Sequence, residues 1–180
     1  MVTLVSNPLF PSECFLIHCI EWYPNCYLTF QNLIPAPIVN FFEGGKEHVY
    51  IAPDAAELVA GLGTNLTDLY DKSGFDWKSL AGAKVVDVEG KDVYEYIENL
   101  ATTQAGTYLD HGIRVNSVFT SYRIIGSAWS QRFGLFASRE FPDLDSLTIK
   151  IIPAGSKKAK DVKVPFYAAY DGQSFVDKDT

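Results

Sequence analysis

The sequence lacks the features that mark membrane-spanning and nucleic-acid-binding proteins. No window of its 180 residues reaches the ~20 consecutive apolar residues of a membrane-spanning helix, and residues 1–10 lack the basic start and apolar centre of a secretion signal. The chain has 15 lysines and arginines against 22 acidic residues, and a net charge of −7. Phosphate binding needs clustered basic side chains, and the one short cluster, at residues 157–160, is typical of a solvated loop. We therefore expect neither a nucleic-acid nor a membrane partner, and no targeting signal is visible that would assign a compartment.

Charge is also missing from the beginning of the chain. Residues 1–42 contain no lysine or arginine and only two acidic residues, Glu13 and Glu21. A surface with so few charges usually packs against another surface. We therefore expect this segment to belong to a larger domain that the chain contains only in part.

Cysteine is scarce, and the three that are present, Cys14, Cys19 and Cys26, all lie in that segment. Their spacing is neither that of CxxC pairs nor that of a zinc finger. Three interpretations stay open: one disulfide with a free thiol, a metal site that includes His18, or small buried apolar side chains. Because the spacing matches no familiar ligand pattern, we expect no metal and no cofactor.

The most informative stretch is residues 83–101, which predicts a buried strand, one tight polar turn and a helix. Closely spaced β-branched residues at 85, 86 and 88 are typical of a strand that is covered on both faces, and Glu89 begins the turn. Asp92 is positioned to accept a backbone N–H of the first helical turn, with Glu95 three residues later as in a capping box. The apolar residues that follow repeat at helical spacing and predict one buried face: Val93, Tyr96, Ile97, Leu100 and Ala101.

The remaining elements follow from turn residues and apolar periodicity. The pattern predicts helix at 54–62 and a short helical turn at 65–70. Strands are predicted at 26–30, 38–42, 48–52, 115–122, 132–137, 147–152 and 162–167. The last two strands alternate with period two and form a hairpin that covers one side of a core. A strand-rich chain with one well-capped helix is of the α+β class.

At this point the sequence resembles a known family. The run from Leu80 to Asp92 looks like the hydrophobic strand and Gly-x-Asp turn of PDZ domains in tail-specific, C-terminal-processing serine peptidases. Motifs at residues 49–53, 112–119 and 136–139 are similar to the fungal members related to the chlamydial protease-like activity factor, in which a PDZ-like domain interrupts the peptidase. Together the motifs span residues 22–178.

The resemblance implies a fold and a division of the chain. The expected fold is a PDZ-like, partly open β-barrel or sandwich with one or two helices at residues 46–170. An incomplete, strand-rich peptidase segment precedes it at residues 1–45, and a tail follows at 171–180. In this family the catalytic serine lies in a domain after the PDZ-like unit, and no Gly-x-Ser-x-Gly motif occurs here. We therefore expect the chain to be inactive alone.

One histidine is a candidate for catalysis. His18 lies a few residues before a stretch, Trp22 to Pro37, that resembles the region after the family's catalytic histidine, which makes His18 the candidate general base. The alternative is an inert histidine on an apolar strand. His48 and His111 are interpreted as structural, and Arg114 and Asn116 as satisfying local backbone or carboxylate groups. The aromatic clusters at residues 41, 42 and 50 and at 94 and 96 are interpreted as core.

The expected function is that of a non-catalytic portion of a serine-type peptidase. An extended peptide would add a strand to an exposed sheet edge beside the helix that begins at Asp92, and the partners would be a peptide or protein substrate and the peptidase domain. Two alternatives stay open: a free-standing peptide-binding module, and a secreted structural or inhibitory protein held by a cysteine pair. Family members are often secreted.

Overall fold

The computed structural model describes residues 30–61, 64–106, 108–139 and 144–170. Within these ranges the strands are β1 (Phe30–Leu33), β2 (Ile38–Glu43), β3 (Lys46–Ile51), β4 (Lys84–Val88), β5 (Lys91–Asp92), β6 (Ser121–Ile125), β7 (Ala128–Arg132), β8 (Ser138–Arg139), β9 (Ser146–Ile152), β10 (Lys160–Pro165) and β11 (Tyr167–Tyr170). The helices are α1 (Ala55–Ala60), α2 (Thr64–Lys72), α3 (Val93–Thr103), α4 (His111–Val118) and a 3-10 helix at Trp77–Leu80. The α+β class is therefore confirmed, with four α-helices in the described ranges where one or two were expected.

The described strands form three open sheets, and every pairing is antiparallel. The large sheet has the order β10-β9-β4-β3-β2, with β5 also paired to β4. A small sheet has the order β11-β1-β8, and β6 pairs with β7 alone. Because β3 meets β4 only where Tyr50 lies opposite Lys84, most of the β2–β3 hairpin extends beyond the centre of the large sheet. Its outer strand, β2, is one edge of that sheet.

The stretch at residues 83–101 folds as predicted into a strand, a tight turn and a helix. Glu89 and Gly90 have φ angles of 52° and 75°, and positive values at both central residues define the type I′ turn of a two-residue hairpin loop. The carboxylate of Asp92 accepts the backbone N–H of Tyr94 at 2.9 Å. The predicted cap of α3 is therefore confirmed.

A bulge in β4 decides which of its valines are buried. Val85 lies opposite Ile151 and Val88 opposite Ile149, and the register shifts between them. The extra residue reverses the alternation of the side chains, so Val85 and Val88 both enter the core while Val86 is half-buried. The valine-rich run therefore produces one buried face and a bulge, and not two equally covered faces.

The main core lies between the large sheet and α3. Strand β9 supplies Leu147, Ile149 and Ile151, each fully buried, and β10 supplies Val164, so the predicted period-two hairpin is confirmed. Helix α3 contributes the face predicted from its spacing: Val93, Tyr96, Ile97, Leu100 and Ala101 are all buried. Each fully buried aliphatic side chain stabilises the fold by about 1.5–3 kcal/mol, so this face holds α3 on the sheet.

Two predicted strands are wrong. Residues 111–118 form α4, and the strand after it begins at Ser121, where a strand was predicted over 115–122. The physical reason is a helix cap: the carboxylate of Asp110 accepts the N–H of Ile113 at 2.9 Å, and this outweighs the β-branched residues that follow. The strand predicted over 132–137 is also wrong, because β7 ends at Arg132 and a turn connects it to β8.

The chain leaves and rejoins the core at one place around the β6–β7 hairpin. The N–H of Leu135 donates to the carbonyl of Ser117 at 2.9 Å, and the N–H of Phe136 donates to that of Val118 at 3.2 Å. Gly134 lies so close to this backbone that a Cβ there would meet the carbonyl oxygen of Val118 at 2.2 Å. We call these paired segments, 117–119 and 133–136, the neck of the hairpin.

The predicted domain boundary between residues 45 and 46 falls where the turn of the β2–β3 hairpin meets β3. Strands β2 and β3, on either side of it, pair from Ile38 with Ile51 to Glu43 with Lys46, so one sheet includes residues from both predicted parts. Most of the predicted first part and the predicted tail lie outside the described residues. In the described ranges, none of the helices combines the length and the apolar character needed to cross a bilayer.

Candidate functional site

Strand β2 is an exposed sheet edge of the kind expected from the sequence. Its hairpin with β3 closes through Gly44 and Gly45 after the pair Glu43 and Lys46. In antiparallel strands alternate pairs exchange hydrogen bonds, and in a two-residue hairpin the closing pair is a bonded one. Counting back from it, the backbone groups of Asn40 and Phe42 point away from β3.

An observed hydrogen bond agrees with this alternation. The carbonyl of Ile38, two residues before Asn40, accepts the N–H of Thr120 at 2.8 Å from outside the hairpin. Towards the tip of the hairpin, no described strand pairs with this side of β2. The edge therefore presents the N–H and C=O groups of Asn40 and Phe42 in the arrangement that an added antiparallel strand uses.

Helix α3 lies beside this edge. The hydroxyl of Tyr94 on its first turn is 3.5 Å from Oδ1 of Asn40, and Nδ2 of Asn40 donates to the carboxylate of Glu47 at 3.2 Å. Burial raises the pKa of Tyr94, and the nearby carboxylates of Glu47 and Asp92 raise it further. The hydroxyl therefore keeps its proton at neutral pH, and the negative charge beside it favours a basic group at this position.

Two phenylalanines stand on the edge strand. Phe42 is 75% exposed and Phe41 is 51% exposed, and they lie on opposite faces because successive side chains of a strand alternate. Phe41 packs against the ring of Tyr50, with centroids 6.0 Å apart. The interpretation as core is therefore wrong for Phe41, Phe42 and Tyr94, whereas Tyr50 is half-buried against the core and Tyr96 is buried as expected.

The predicted catalytic residue, His18, lies outside the residues that the structure describes. His18 and the three cysteines precede residue 30, the first described residue, so their roles stay predictions. Of the other histidines, His48 packs at 6.4 Å from the ring of Tyr50, and His111 lies 3.0 Å from the carboxylate of Glu98. Neither belongs to a cluster of metal-ligating side chains in the described part of the chain.

Arg114 has the local role expected for it. Its Nε donates to the carbonyl of Tyr108 at 2.6 Å, and Nη2 donates to the carbonyl of Leu109 at 3.2 Å. The guanidinium therefore holds the chain that enters α4. It belongs to the support of the fold and not to the β2 edge.

Asn40 is not among the site residues predicted from the sequence. One signal was available: the two glycines at 44 and 45 indicate a two-residue hairpin whose tip is polar and glycine-rich.

Comparison of the whole chain with protein-family models, with curated proteins and with solved structures finds no match. The geometry of the edge and the resemblance of the motifs are therefore the grounds for a functional proposal.

Proposed function

We propose that this chain provides the PDZ-like, non-catalytic portion of a serine-type peptidase of the tail-specific kind that its motifs resemble. In this role it positions or regulates a peptide for a catalytic domain. The peptide adds a strand to β2, with its backbone on Asn40 and Phe42. The observation that carries the proposal is this unpaired edge next to the Asp92-capped helix.

Three features support strand addition. The outward N–H and C=O groups of β2 supply backbone hydrogen bonds without loss of any bond to β3. The exposed rings of Phe41 and Phe42 supply apolar contact area. The carboxylate of Glu47 near Tyr94 supplies a preference for a basic side chain.

The test removes one donor from the edge. A fluorescein-labelled pool of random decapeptides is titrated with the full chain, and anisotropy is measured for the wild type and for Phe42→Pro. Proline lacks the N–H that faces outward but leaves the hairpin bonds to β3 in place. We expect binding to the wild type and at least a tenfold weaker Kd for Phe42→Pro.

The matched control is Phe42→Ala, which removes the ring and keeps the donor. We expect it to retain more affinity than Phe42→Pro, and we expect both variants to unfold within about 0.5 kcal/mol of the wild type. Equal affinity of the wild type and Phe42→Pro, or no binding by the wild type, would reject strand addition at β2.

The catalytic part of the proposal has its own test. A fluorophosphonate probe, which reacts with activated serines, should leave the chain unlabelled, because no serine stands in a nucleophile motif. Mass spectrometry of the treated chain checks this. Stoichiometric labelling of any serine would contradict the assignment of a non-catalytic role while leaving the peptide edge untouched.

A further inference from the structure

One arginine is buried at the junction of the small sheet, α3 and the end of β10. Arg139 lies on β8, opposite Asn32 of β1, and only 7% of it is exposed. Its Nη2 donates to the hydroxyl of Tyr96 at 2.7 Å. The guanidinium carbon lies 5.7 Å from the ring centre of Tyr96 and 5.6 Å from that of Phe166.

No described carboxylate balances this charge. The ion pairs in the described ranges join other cations to their partners: Lys78 with Asp71, His111 with Glu98, and Lys150 with Asp87. Nε of Arg139 is buried and has no hydrogen-bond acceptor there. Aromatic rings attract a cation but do not replace an anion, so this buried charge has no full compensation among the described residues.

The unused Nε–H of Arg139 belongs to a group whose geometry suits an oxyanion. Nε–H and a neighbouring Nη–H of a guanidinium form a planar fork that matches the two oxygens of a carboxylate. The oxygen of Tyr96 accepts from Arg139, so its own hydroxyl hydrogen remains to be donated. A guanidinium donor and a hydroxyl donor therefore lie next to each other.

The charge of the site selects among oxyanions. Arg139 supplies one positive charge among aromatic rings, so a monoanion leaves the site neutral, whereas a phosphate dianion leaves a net negative charge in an apolar setting. We propose that Arg139 and Tyr96 form a receptor for a carboxylate, borne either by a small free acid or by an acidic side chain of a peptide. This site is separate from the β2 edge and does not depend on the proposed function.

The experiment observes the guanidinium directly in the full chain. The ¹H–¹⁵N signal of the Arg139 Nε–H is followed while sodium acetate is added, and sodium chloride and neutral acetamide serve as controls at matched concentrations. We expect a saturable downfield shift with acetate only. The signal is assigned by its loss in Arg139→Gln.

A second variant keeps the fold and removes one donor. Tyr96→Phe retains the ring that packs at 6.1 Å from Phe136 and lacks the hydroxyl, so we expect its Kd for acetate to rise at least fivefold. Tyr108→Phe, an exposed tyrosine, is the matched control and should bind as the wild type does. A parallel titration with N-acetyl-glutamate amide and N-acetyl-glutamine amide tests the carboxylate on a peptide.

Each outcome supports or rejects the carboxylate receptor. A shift with acetate supports a receptor open to free acids, and a shift with the glutamate compound alone supports a receptor for acidic side chains. No acetate- or glutamate-specific shift, an equal shift with chloride, or unchanged acetate affinity of Tyr96→Phe would overturn the proposal. Arg139 would then serve packing alone.

Discussion

Two hairpins of similar design differ in what holds them. β2–β3 and β6–β7 each have a two-residue connection that contains glycine, and each carries exposed aliphatic or aromatic residues. The first buries Ile38, Val49 and Ile51 in the main core. In the second, every residue of β6 is exposed, and the hairpin makes polar side-chain contacts through Tyr122 and Gln131. Apolar burial at its base holds the β2–β3 hairpin in the fold, whereas the described side chains that connect β6–β7 to the rest of the chain do so through polar contacts.

Among the described residues, the carboxylate of Asp54 accepts hydrogen bonds from both strands of β6–β7. Oδ1 of Asp54 accepts the hydroxyl of Tyr122 at 2.9 Å, and Oδ2 accepts the side-chain amide of Gln131. Asp54 precedes α1 but makes no side-chain cap to it. Both of its carboxylate oxygens instead accept hydrogen bonds from the hairpin, and a lone two-stranded hairpin needs such support because it is only marginally stable.

The largest expected effect is a loss of stability when a buried side chain of the β2–β3 hairpin is shortened. Ile51→Ala removes a fully buried side chain from β3 and should destabilise the chain by about 2–5 kcal/mol. Ile124→Ala, at a position on β6 that is 62% exposed, should change the stability by no more than about 0.5 kcal/mol. Urea unfolding followed by circular dichroism measures both. Similar losses in the two variants would contradict the distinction.

The neck gives the next largest effect. Gly134→Ala places a Cβ against the backbone of residues 118 and 119, so the two segments must separate, at a cost of about 1–3 kcal/mol. Gly155→Ala is a useful control, because no atom lies within 4 Å of a Cβ there; its loss reflects only the positive φ. Thermal unfolding of both variants checks the ranking, and a smaller loss for Gly134→Ala would argue against close contact at the neck.

A smaller, local effect is expected from Asp54→Ala. The loss of two hydrogen bonds of about 0.5–1.5 kcal/mol each should speed amide hydrogen exchange within β6–β7, while exchange in β2–β3 is unchanged. Asp161→Ala, at an exposed position on β10, controls for the loss of one acidic side chain. Equal protection of β6–β7 in Asp54→Ala and the wild type would show that another contact holds the hairpin.

The smallest effect is a pH dependence. Burial raises the pKa of Tyr122, and the hydrogen bond and charge of Asp54 raise it further against a lowering by Gln131. Because the pKa in the folded state exceeds the unfolded value, this contact keeps its full stability below pH ~10 and loses it as the pH rises further. Asp54→Asn should lower the pKa of Tyr122 and leave it above its ordinary value.

The titration is read from the ¹³Cζ signals of labelled tyrosines. Tyr50 is the internal control: burial, then a hydrogen bond to Glu43 and its charge, raise its pKa, and Asp54→Asn should not move it. A Tyr122 curve that is unaltered in Asp54→Asn would contradict the carboxylate's part in the shift.

The sequence predicts best where local signals agree. In residues 83–101 the turn, the Asp92 cap and the helical spacing depend only on near neighbours, and the structure confirms all three. The sequence predicts α4 poorly, because the β-branched residues within 111–118 favour a strand, whereas the side chain that caps the helix, Asp110, lies before them. Reading Asp110 as a cap three residues before Ile113 would have predicted α4.

The sequence predicts the type of candidate site but not the residues that form it. The sequence indicates a helix with a sheet edge beside it, but which strand forms that edge depends on the order of strands in the sheet, which is set by contacts between distant segments. The nearness of Asn40 to Tyr94, 54 residues later, follows from that order. The burial of Arg139 has the same origin, since β1, α3 and Phe166 surround it.

The neck has a practical consequence for engineering. Residues 117–118 form backbone hydrogen bonds with residues 135–136, so the two ends of the segment between them are held together. The length of that segment therefore adds little to the entropic cost of closing the loop. Residues 121–132 are therefore a natural place to graft a foreign hairpin, or to substitute a short glycine-serine link, without redesign of the remaining scaffold.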